Sequence, residues 1–526
     1  MKYYLLICIL FAGLKSAQQE SLKSVLDMEH FIQLERTVID KLDTYLKRQE
    51  KQGDVVKEEI KQFLKEADIS NSEANQTTGN VVGDPIGTFL YLRKAAEDWV
   101  TLKKNLTCTG EDCPILTGAD VIDAVLKREK ITWPSHEDLK NAAVSILQLW
   151  SLYELKLDDI MNGQIGSKIS RPLFPRDLFF ICRAALDTVM PYEAIKCFEK
   201  LQSYTRDTDK EGVTVASVYK GLAGAYNMYG MSKRAVDVTE KYLKLDPANE
   251  GAKRDLEFFK MAANSYRDKP INDVTRHRLE TDKRLIRNLS RFERLCRREV
   301  TRTSKALAKL KCFLRRAMNS YDIVKEEIIN NQPRISLYHD VISAEEADGM
   351  IHKAQTDARR KDYGNRRETV NRDKTIACLE PNQLLLNRMS FRITEQTGFS
   401  TDISQHRSDC FMISEFYIGG TYLPETDYLN QPQTKLNKPD DNIATWAYLL
   451  SGPEDGGFIV FPKLKLSIPC VKGSAILWWN LKLDGTYEPK SVHAHCPVIR
   501  GRKWMATKFL RANDQIMKRG CRDSDL

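Results

Sequence analysis

Cysteine and histidine are the residues of this sequence whose types and spacing bear most directly on chemistry. The chain has 12 cysteines and 8 histidines. No Cys-x-x-Cys pair occurs, so the basic motif of zinc ribbons and thioredoxin-like redox sites is missing. His493 and His495 are two residues apart and would share one face of a strand. Most additional histidines, however, are surface or core residues.

Tyrosines in a helical segment suggest a different chemistry, the binding of peptides. Gly230, Ala235 and Pro247 reproduce the spacing of the turn residue, the second-helix alanine and the closing proline of a tetratricopeptide (TPR) repeat. Such helix stacks form grooves for extended peptides, and aromatic faces suit proline rings. The groove-side candidates are Tyr192, Tyr204, Tyr219, Tyr226 and Tyr229. The alternative is that these tyrosines belong to the helical core.

The N-terminal segment is predicted to form paired helices. Apolar residues recur at a spacing of about 3.5 residues from Val25 until Gly53, which predicts a helical seam. A second helix is predicted over residues 55–64, before a polar loop at 70–80. The seam consists of Met28, Ile32, Ile39, Leu42 and Leu46. It would pair either with another chain, as an oligomerisation surface, or with the second helix in an intramolecular hairpin.

Beyond Pro333 the sequence changes to short β-rich runs broken by Gly and Pro, which indicate a sandwich or a barrel. The predicted strands are 411–418, 444–450, 458–461, 475–479 and 505–510. Helices predicted at 344–355 and 384–397 would cover one face of that sheet.

Length and composition indicate a modular, folded chain. At about 150 residues a domain, 526 residues exceed what one core organises. Apolar residues make up 42% and charged residues 29%, which excludes a collagen-like or largely disordered chain. The net charge is +9, but residues 281–320 alone hold 13 Lys and Arg against 3 Asp and Glu. This single basic helical stretch is more typical of a solvated face than of a nucleic-acid site.

The first 17 residues are predicted to be a secretory signal peptide, because a basic start precedes an apolar run and small residues near Ala17. No later run reaches the ~18 apolar residues that span a bilayer. We therefore expect a glycoprotein of the secretory pathway without a membrane span. Sequons for glycosylation lie at Asn75, Asn105 and Asn288.

Several blocks of the C-terminal third carry a family pattern: 415–424 (EFYIGGTYLP), 443–446 (IATW), 456–457 (GG), 472–481, 493–498 (HAHCPV) and 501–504 (GRKW). Upstream, 295–297 and 338–343 continue it. This third resembles the 2-oxoglutarate/Fe(II)-dependent prolyl 4-hydroxylases, and the whole chain is similar to the α subunits of the collagen prolyl 4-hydroxylase family. The resemblance implies a C-terminal double-stranded β-helix (jelly-roll) dioxygenase domain and places the TPR-like segment where the family binds its peptide substrate.

In this family two histidines and one carboxylate hold Fe(II) and leave positions for 2-oxoglutarate and O₂. The resemblance assigns the carboxylate to Asp427 and the distal histidine to His493. It assigns to Lys503 the lysine that pairs with the distal carboxylate of 2-oxoglutarate, where a cation suits a dianion. L-ascorbate is implied as the reductant that restores the iron.

Glu425 departs from the family motif, because it stands where the first iron-ligand histidine is expected. A Glu can bind Fe(II) through oxygen, but imidazole suits iron better. The extra negative charge is also unfavourable for a cosubstrate dianion, so we expect weaker metal and cosubstrate binding. His495 could supply the missing ligand, but the other ligands would then have to be rearranged around the metal.

The retained motif residues and the departure at Glu425 leave two alternative functions open. The first is a procollagen-proline 4-dioxygenase α subunit that hydroxylates peptidyl proline at C4, which the retained Asp427, His493 and Lys503 favour. The alternative is a catalytically impaired paralogue that binds proline-rich peptides as a non-catalytic subunit, which Glu425 favours.

The resemblance also implies partners and disulfides. A protein disulfide isomerase β subunit would complete an α₂β₂ hetero-oligomer and keep the chain, which ends RDSDL rather than KDEL, in the endoplasmic reticulum lumen. Family positions pair Cys296 with Cys312 and Cys496 with Cys521. Cys182 and Cys197 lie in helical apolar patterns, which favour buried thiols.

The predicted organisation is multidomain, α followed by α+β. It comprises a signal peptide (1–17), an N-terminal helical or coiled-coil oligomerisation domain (18–165), a TPR-like peptide-binding domain (166–265), a basic helical linker (266–332) and the dioxygenase domain (333–526).

Overall fold

The structure is a computed structural model that describes residues 25–52, 56–76, 81, 83–107, 117–129, 133–204, 212–265, 283–300, 302–318, 322–360, 375–380, 383–416, 418–420, 422–428, 441–512 and 515. The chain divides into two compact units, Met1–Thr281 and Asp282–Leu526. The first is mainly helical, whereas antiparallel sheets dominate the second. This order agrees with the predicted sequence of an α region and an α+β region.

The first unit begins with α1 (Val25–Gln52), α2 (Glu58–Gln76), α3 (Pro85–Arg93), a π-helical segment (Lys94–Asp98), α4 (Trp99–Asn105), α5 (Gly118–Glu129), α6 (His136–Tyr153) and α7 (Leu157–Met161). Helix α1 packs against α2 and α5. The predicted seam of α1 is buried within this chain at all of its positions, Met28, Ile32, Ile39, Leu42 and Leu46. The seam therefore packs in an intramolecular core, as the alternative of an intramolecular hairpin predicts.

Glu35 interrupts the apolar seam because it is the buried centre of a polar network between helices. Its carboxylate accepts a hydrogen bond from Trp99 Nε1 at 2.7 Å and from Asn71 Nδ2 at 2.9 Å. Lys94 Nζ lies 3.0 Å from the same carboxylate. A buried charge is tolerated when it is paired and hydrogen-bonded in this way.

The first unit continues with β1 (Gln164–Ile165), β2 (Lys168–Ile169), α8 (Pro175–Asp187), α9 (Pro191–Tyr204), α10 (Val215–Tyr229), α11 (Ser232–Leu245) and α12 (Glu250–Ser265). From α8 onward each helix packs against the next. Gly230 ends α10 in the left-handed region, with φ at 87°, where glycine has no steric penalty. A Cβ on Gly221 would lie 2.3 Å from the Phe198 ring, so this glycine lets α9 and α10 approach closely.

The second unit contains α13 (Lys283–Cys296), α14 (Ser304–Leu307), β3 (Cys312–Arg316), β4 (Ile323–Asn331), β5 (Arg334–His339), α15 (Ala344–Arg360), β6 (Thr375–Leu379), α16 (Leu384–Thr397), β7 (Phe411–Phe416), β8 (Tyr422–Glu425), β9 (Asn442–Ser451), β10 (Asp455–Gly456), β11 (Ile459–Phe461), β12 (Leu466–Ile468), β13 (Ala475–Trp479), β14 (His493–His495), β15 (Val498–Arg500) and β16 (Lys503–Arg511). The large sheet has the order β3-β4-β5-β13-β9-β16-β7-β6, the smaller one β12-β11-β14-β8, and β10 pairs with β15. The predicted strands and both predicted helices of this region are confirmed within a few residues.

Two apolar cores lie on opposite faces of the large sheet, because strand residues alternate between its faces. Ala447 and Leu449 of β9 point to a core shared with Ile459 and Phe461 of the smaller sheet. On the other face Trp446 packs in a second core that includes Met389 and Ile393 of α16. The sheets thus enclose an interior between them, and the helices cover the outer face, as predicted.

The prediction of a basic helical linker over 266–332 is wrong for its second half. Strand β3 pairs with β4, and β4 pairs with β5, so residues from Cys312 onward extend the large sheet. Glu326 is buried on β4 and binds Arg315 and Arg334 at 3.1 and 2.5 Å. This buried charge breaks the apolar-polar alternation that would have revealed the strand.

The structure contradicts the predicted pair of Cys296 with Cys312 and gives Cys496 a partner other than the predicted Cys521. Cys296, at the end of α13, bonds to Cys496, directly after β14, across a sequence separation of 200 residues. Cys312 has a free thiol and is exposed, and Cys521 lies outside the described residues. The physical reason is that α13 packs against β11 and β12, the sheet that contains β14, a proximity that sequence spacing does not reveal.

Two further disulfides were not predicted. Cys182 of α8 bonds to Cys197 of α9, where buried thiols were expected, and Cys378 of β6 bonds to Cys410 next to β7. Both pairs join neighbouring elements with Cα atoms 5.5 and 5.6 Å apart, a normal separation for a disulfide. Among the described helices, none is long and apolar enough to cross a membrane.

Candidate metal site

Strand β14 carries the two histidines of the candidate site and lies between β11 and β8 in the smaller sheet. In the register of β14 and β8, His493 is opposite Glu425. Both histidines are buried and face aromatic rings. The His493 ring lies 4.8 Å from the Trp478 ring and the His495 ring 4.5 Å from the Phe416 ring, between centroids.

The strand pairing brings three potential metal ligands together. One ligand atom from each of Glu425, His493 and His495 lies within 4.8 Å of the other two. His493 Nδ1 is 3.1 Å from the carbonyl oxygen of Ser491. Because a carbonyl can only accept, this contact places the proton of the neutral imidazole on Nδ1 and leaves a lone pair on Nε2, the nitrogen then free to bind a metal.

Asp427 is the next acidic residue after β8, and its side chain is held by two donors. Its Oδ2 accepts hydrogen bonds from Thr445 Oγ1 at 2.6 Å and from Trp478 Nε1 at 3.2 Å. The same oxygen lies 3.9 Å from Nε2 of His493. Burial raises the pKa of Asp427 and the charge of Glu425 adds to this, while His493 and the two donors oppose the shift.

Lys503 opens β16 and is fully buried. Its Nζ lies 4.3 Å from the centroid of the Phe416 ring and 3.1 Å from Nδ1 of His495. Burial raises the pKa of the neighbouring Cys470 thiol, and the Lys503 ammonium opposes that shift. A cation and two imidazoles therefore share one interior with two carboxylates.

Most of the residues expected at the site lie together. Glu425 lies beside His493, and Asp427 approaches the same imidazole. His495, whose role as a ligand was left open, also lies in this cluster. Sequence reasoning missed Ser491 and Thr445, which orient His493 and Asp427; the match of 443–446 to the family pattern was the available signal for Thr445.

The tyrosines expected to line a peptide groove divide into two groups. Tyr192 and Tyr229 are buried, as the core alternative has it. Tyr226 is also buried, and its hydroxyl donates to Glu199 at 2.8 Å. Tyr219 is half-buried and Tyr204 is exposed, so these two retain accessible ring surface for a ligand.

Comparison with known proteins gives a consistent result along the whole chain. Residues 24–167 match the family model described as the N-terminal region of the prolyl 4-hydroxylase α subunit. Prolyl 4-hydroxylase subunit alpha-2 of Caenorhabditis elegans is 25% identical over 99% of this chain and 96% of that protein. Human prolyl 4-hydroxylase subunit alpha-1 is 26% identical over 100% of both chains. The viral collagen prolyl hydroxylase of Paramecium bursaria Chlorella virus-1, solved with 2-oxoglutarate, is 20% identical and covers 34% of this chain and 95% of its own, with a TM-score of 0.28.

Proposed function

We infer, from the similarity of the whole chain to prolyl 4-hydroxylase α subunits, that it is a procollagen-proline 4-dioxygenase α subunit acting on peptidyl proline at C4. The observation that carries this proposal is the cluster of the buried His493 with the half-buried Glu425 and Asp427, together with the buried Lys503 nearby. Imidazole and carboxylate donors of this kind fit Fe(II). When bound, Fe(II) and 2-oxoglutarate supply the oxidative chemistry that hydroxylates the C4 position.

The residues of the chain prepare that site in three ways. The Ser491 carbonyl fixes the imidazole of His493 so that Nε2 offers its lone pair. Thr445 and Trp478 hold the carboxylate of Asp427 beside that nitrogen; such orienting contacts raise metal affinity. The aromatic rings of Trp478 and Phe416 exclude water, which strengthens electrostatic attraction inside the site.

We propose a finer architecture that fits this function. Helices α8 to α12 would form the TPR-like peptide-binding domain, since each packs on the next and Gly230 provides the turn between α10 and α11. The two facing sheets would form the double-stranded β-helix. Tyr219 and Tyr204 would offer their rings to a proline-rich, collagen-like peptide.

The partners and the compartment are part of the same proposal. A protein disulfide isomerase β subunit would complete an α₂β₂ assembly in the endoplasmic reticulum lumen, and L-ascorbate would keep the iron reduced. The three disulfides among the described residues suit an oxidising compartment. The predicted signal peptide and the predicted glycosylation sites agree with this compartment.

A second function is supported by Glu425, which gives the site two carboxylates where the family pattern has one beside two histidines. In that case the chain would be a catalytically impaired paralogue that binds proline-rich peptides.

The deciding experiment uses the full chain co-expressed with a protein disulfide isomerase partner. Peptide-dependent decarboxylation of 2-oxoglutarate is measured together with 4-hydroxyproline in the peptide by mass spectrometry. We expect both products from the wild type and neither from His493→Ala. A metal-loaded wild type that binds proline-rich peptide but yields neither product would instead establish the non-catalytic function.

A further inference from the structure

His495 and Lys503 make a contact that bears on how the site receives its cosubstrate. Lys503 Nζ lies 3.1 Å from His495 Nδ1, and neither side chain has appreciable exposure, at 0% and 6%. Phe416 supports both, since its ring lies 4.3 Å from the ammonium and 4.5 Å from the imidazole. The three side chains form one packed group.

The direction of this hydrogen bond follows from the donors available. An ammonium group has only protons to give, so Nδ1 of His495 must accept. The lone pair of the neutral imidazole is therefore committed to Lys503, and the other ring nitrogen carries the proton. A nitrogen without a lone pair cannot ligate a metal, so His495 is not a metal ligand while this contact lasts.

His495 also fills space between the metal ligands and Lys503. Its ring centroid is 5.7 Å from that of His493, while its Nδ1 touches the ammonium. If the chain uses 2-oxoglutarate as proposed above, the cosubstrate must extend from the metal position to the same ammonium with its distal carboxylate. The imidazole then holds one of the three protons of that ammonium and lies on the side from which the distal carboxylate would approach it.

We propose that His495 is an internal competitor of 2-oxoglutarate, which binds Lys503 more tightly once the imidazole has left it. The contact would weaken cosubstrate binding without removing the proposed metal ligands Glu425, His493 and Asp427. Truncating His495 should thus free Lys503 and leave metal binding intact, whereas the loss of a ligand would abolish metal binding.

The test is isothermal titration of 2-oxoglutarate into the full chain loaded with Mn²⁺, which requires no turnover. We expect His495→Ala to bind 2-oxoglutarate at least about tenfold more tightly than the wild type, equivalent to ~1.4 kcal/mol. Pyruvate, a 2-oxo acid without the distal carboxylate, should gain little. The double variant His495→Ala/Lys503→Ala should not bind 2-oxoglutarate more tightly than the wild type, because it lacks the ammonium that would bind the distal carboxylate.

Two results would overturn the proposal. One is an unchanged affinity of His495→Ala for 2-oxoglutarate, and the other is loss of Mn²⁺ binding by a variant with the wild-type melting profile, which would make His495 a ligand. Should His495→Ala fail to fold, the wild type alone decides: its affinities for 2-oxoglutarate and pyruvate should agree within roughly threefold, and a tenfold preference for 2-oxoglutarate would contradict an occupied Lys503. Absence of hydroxylation would overturn the proposed function and leave this binding result standing.

Discussion

The disulfide between Cys296 and Cys496 should dominate the stability of the second unit. It closes a loop with a sequence separation of 200 residues, and the chain-entropy model gives about 5 kcal/mol for a loop of this length. The bond between Cys378 and Cys410 closes 32 residues, for which the same model gives about 4 kcal/mol. Removing the longer cross-link should therefore destabilise the unit more.

The perturbation is the double variant Cys296→Ala/Cys496→Ala, compared with Cys312→Ala as the matched control. At about 2–4 °C per kcal/mol for a unit of this size, the double variant should lower the melting temperature of the second unit by roughly 10–20 °C under non-reducing conditions. Cys312→Ala removes an exposed free thiol and should leave that temperature unchanged.

Calorimetry measures both shifts, and non-reducing peptide mapping identifies the bonded peptides. A cross-link between Cys296 and Cys312, with marked destabilisation by Cys312→Ala, would refute the pairing. If the melting temperatures of the double variant and the control both stayed close to that of the wild type, the stabilisation assigned to this disulfide would be refuted.

Three further predictions concern single side chains. Glu425→His combined with His495→Ala should raise peptide-dependent 2-oxoglutarate decarboxylation at least about tenfold over the wild type, because it removes a carboxylate charge that would repel the dianion and frees the Lys503 ammonium; two like charges about 5 Å apart repel by ~3 kcal/mol at an effective dielectric of 20. A rate no higher than that of either single variant would contradict this. Thr445→Val removes the 2.6 Å hydrogen bond to Asp427 and should weaken Mn²⁺ binding at least about tenfold by titration, whereas an unchanged affinity would show that this hydrogen bond does not position Asp427 for the metal. Burial lowers the pKa of Lys508 from 10.5 to about 8. Below pH 8 the lysine is charged in both the folded and the unfolded chain, so the full cost of burying the charge destabilises the fold. This cost decreases as the pH rises toward 10.5. Lys508→Met should therefore stabilise the fold at pH 7 by about 3 kcal/mol, with a smaller gain at pH 10; a gain independent of pH in thermal melts would show that the charge is not the cause.

Hydrophobic patterning predicted the elements whose apolar residues face a core, either as a continuous apolar run or at helical spacing. Strand β9 and helix α16 are examples, because their apolar residues face the two cores of the large sheet. Strand β4 was not predicted, because the buried Glu326 interrupts the alternation of apolar and polar residues along it. Local patterns report the environment of each residue and fail where a buried ion pair replaces an apolar contact.

The candidate site was predictable where chemistry lies within one motif and unpredictable where it depends on pairing between distant strands. Glu425, Asp427, His493 and Lys503 follow from motif positions. The contact of His495 with Lys503 instead depends on the irregular register of β14 against β8 and on the position of β16. Cys496 illustrates the same limit, since its partner lies 200 residues away.

Strand β4 covers the hydrogen-bonding edge of β5, and β3 in turn covers β4. A fragment cut at Pro333 would leave β5 as an open edge, with Ile335 and Leu337 no longer shielded by a neighbouring strand. Open apolar edges recruit strands of other molecules and lead to aggregation. In the intact chain the outermost strand ends in Arg315 and Arg316, and charged residues on an edge discourage such pairing. Two of the 13 basic residues of 281–320 thus lie on the edge strand, where their charge opposes pairing with another copy of the sheet.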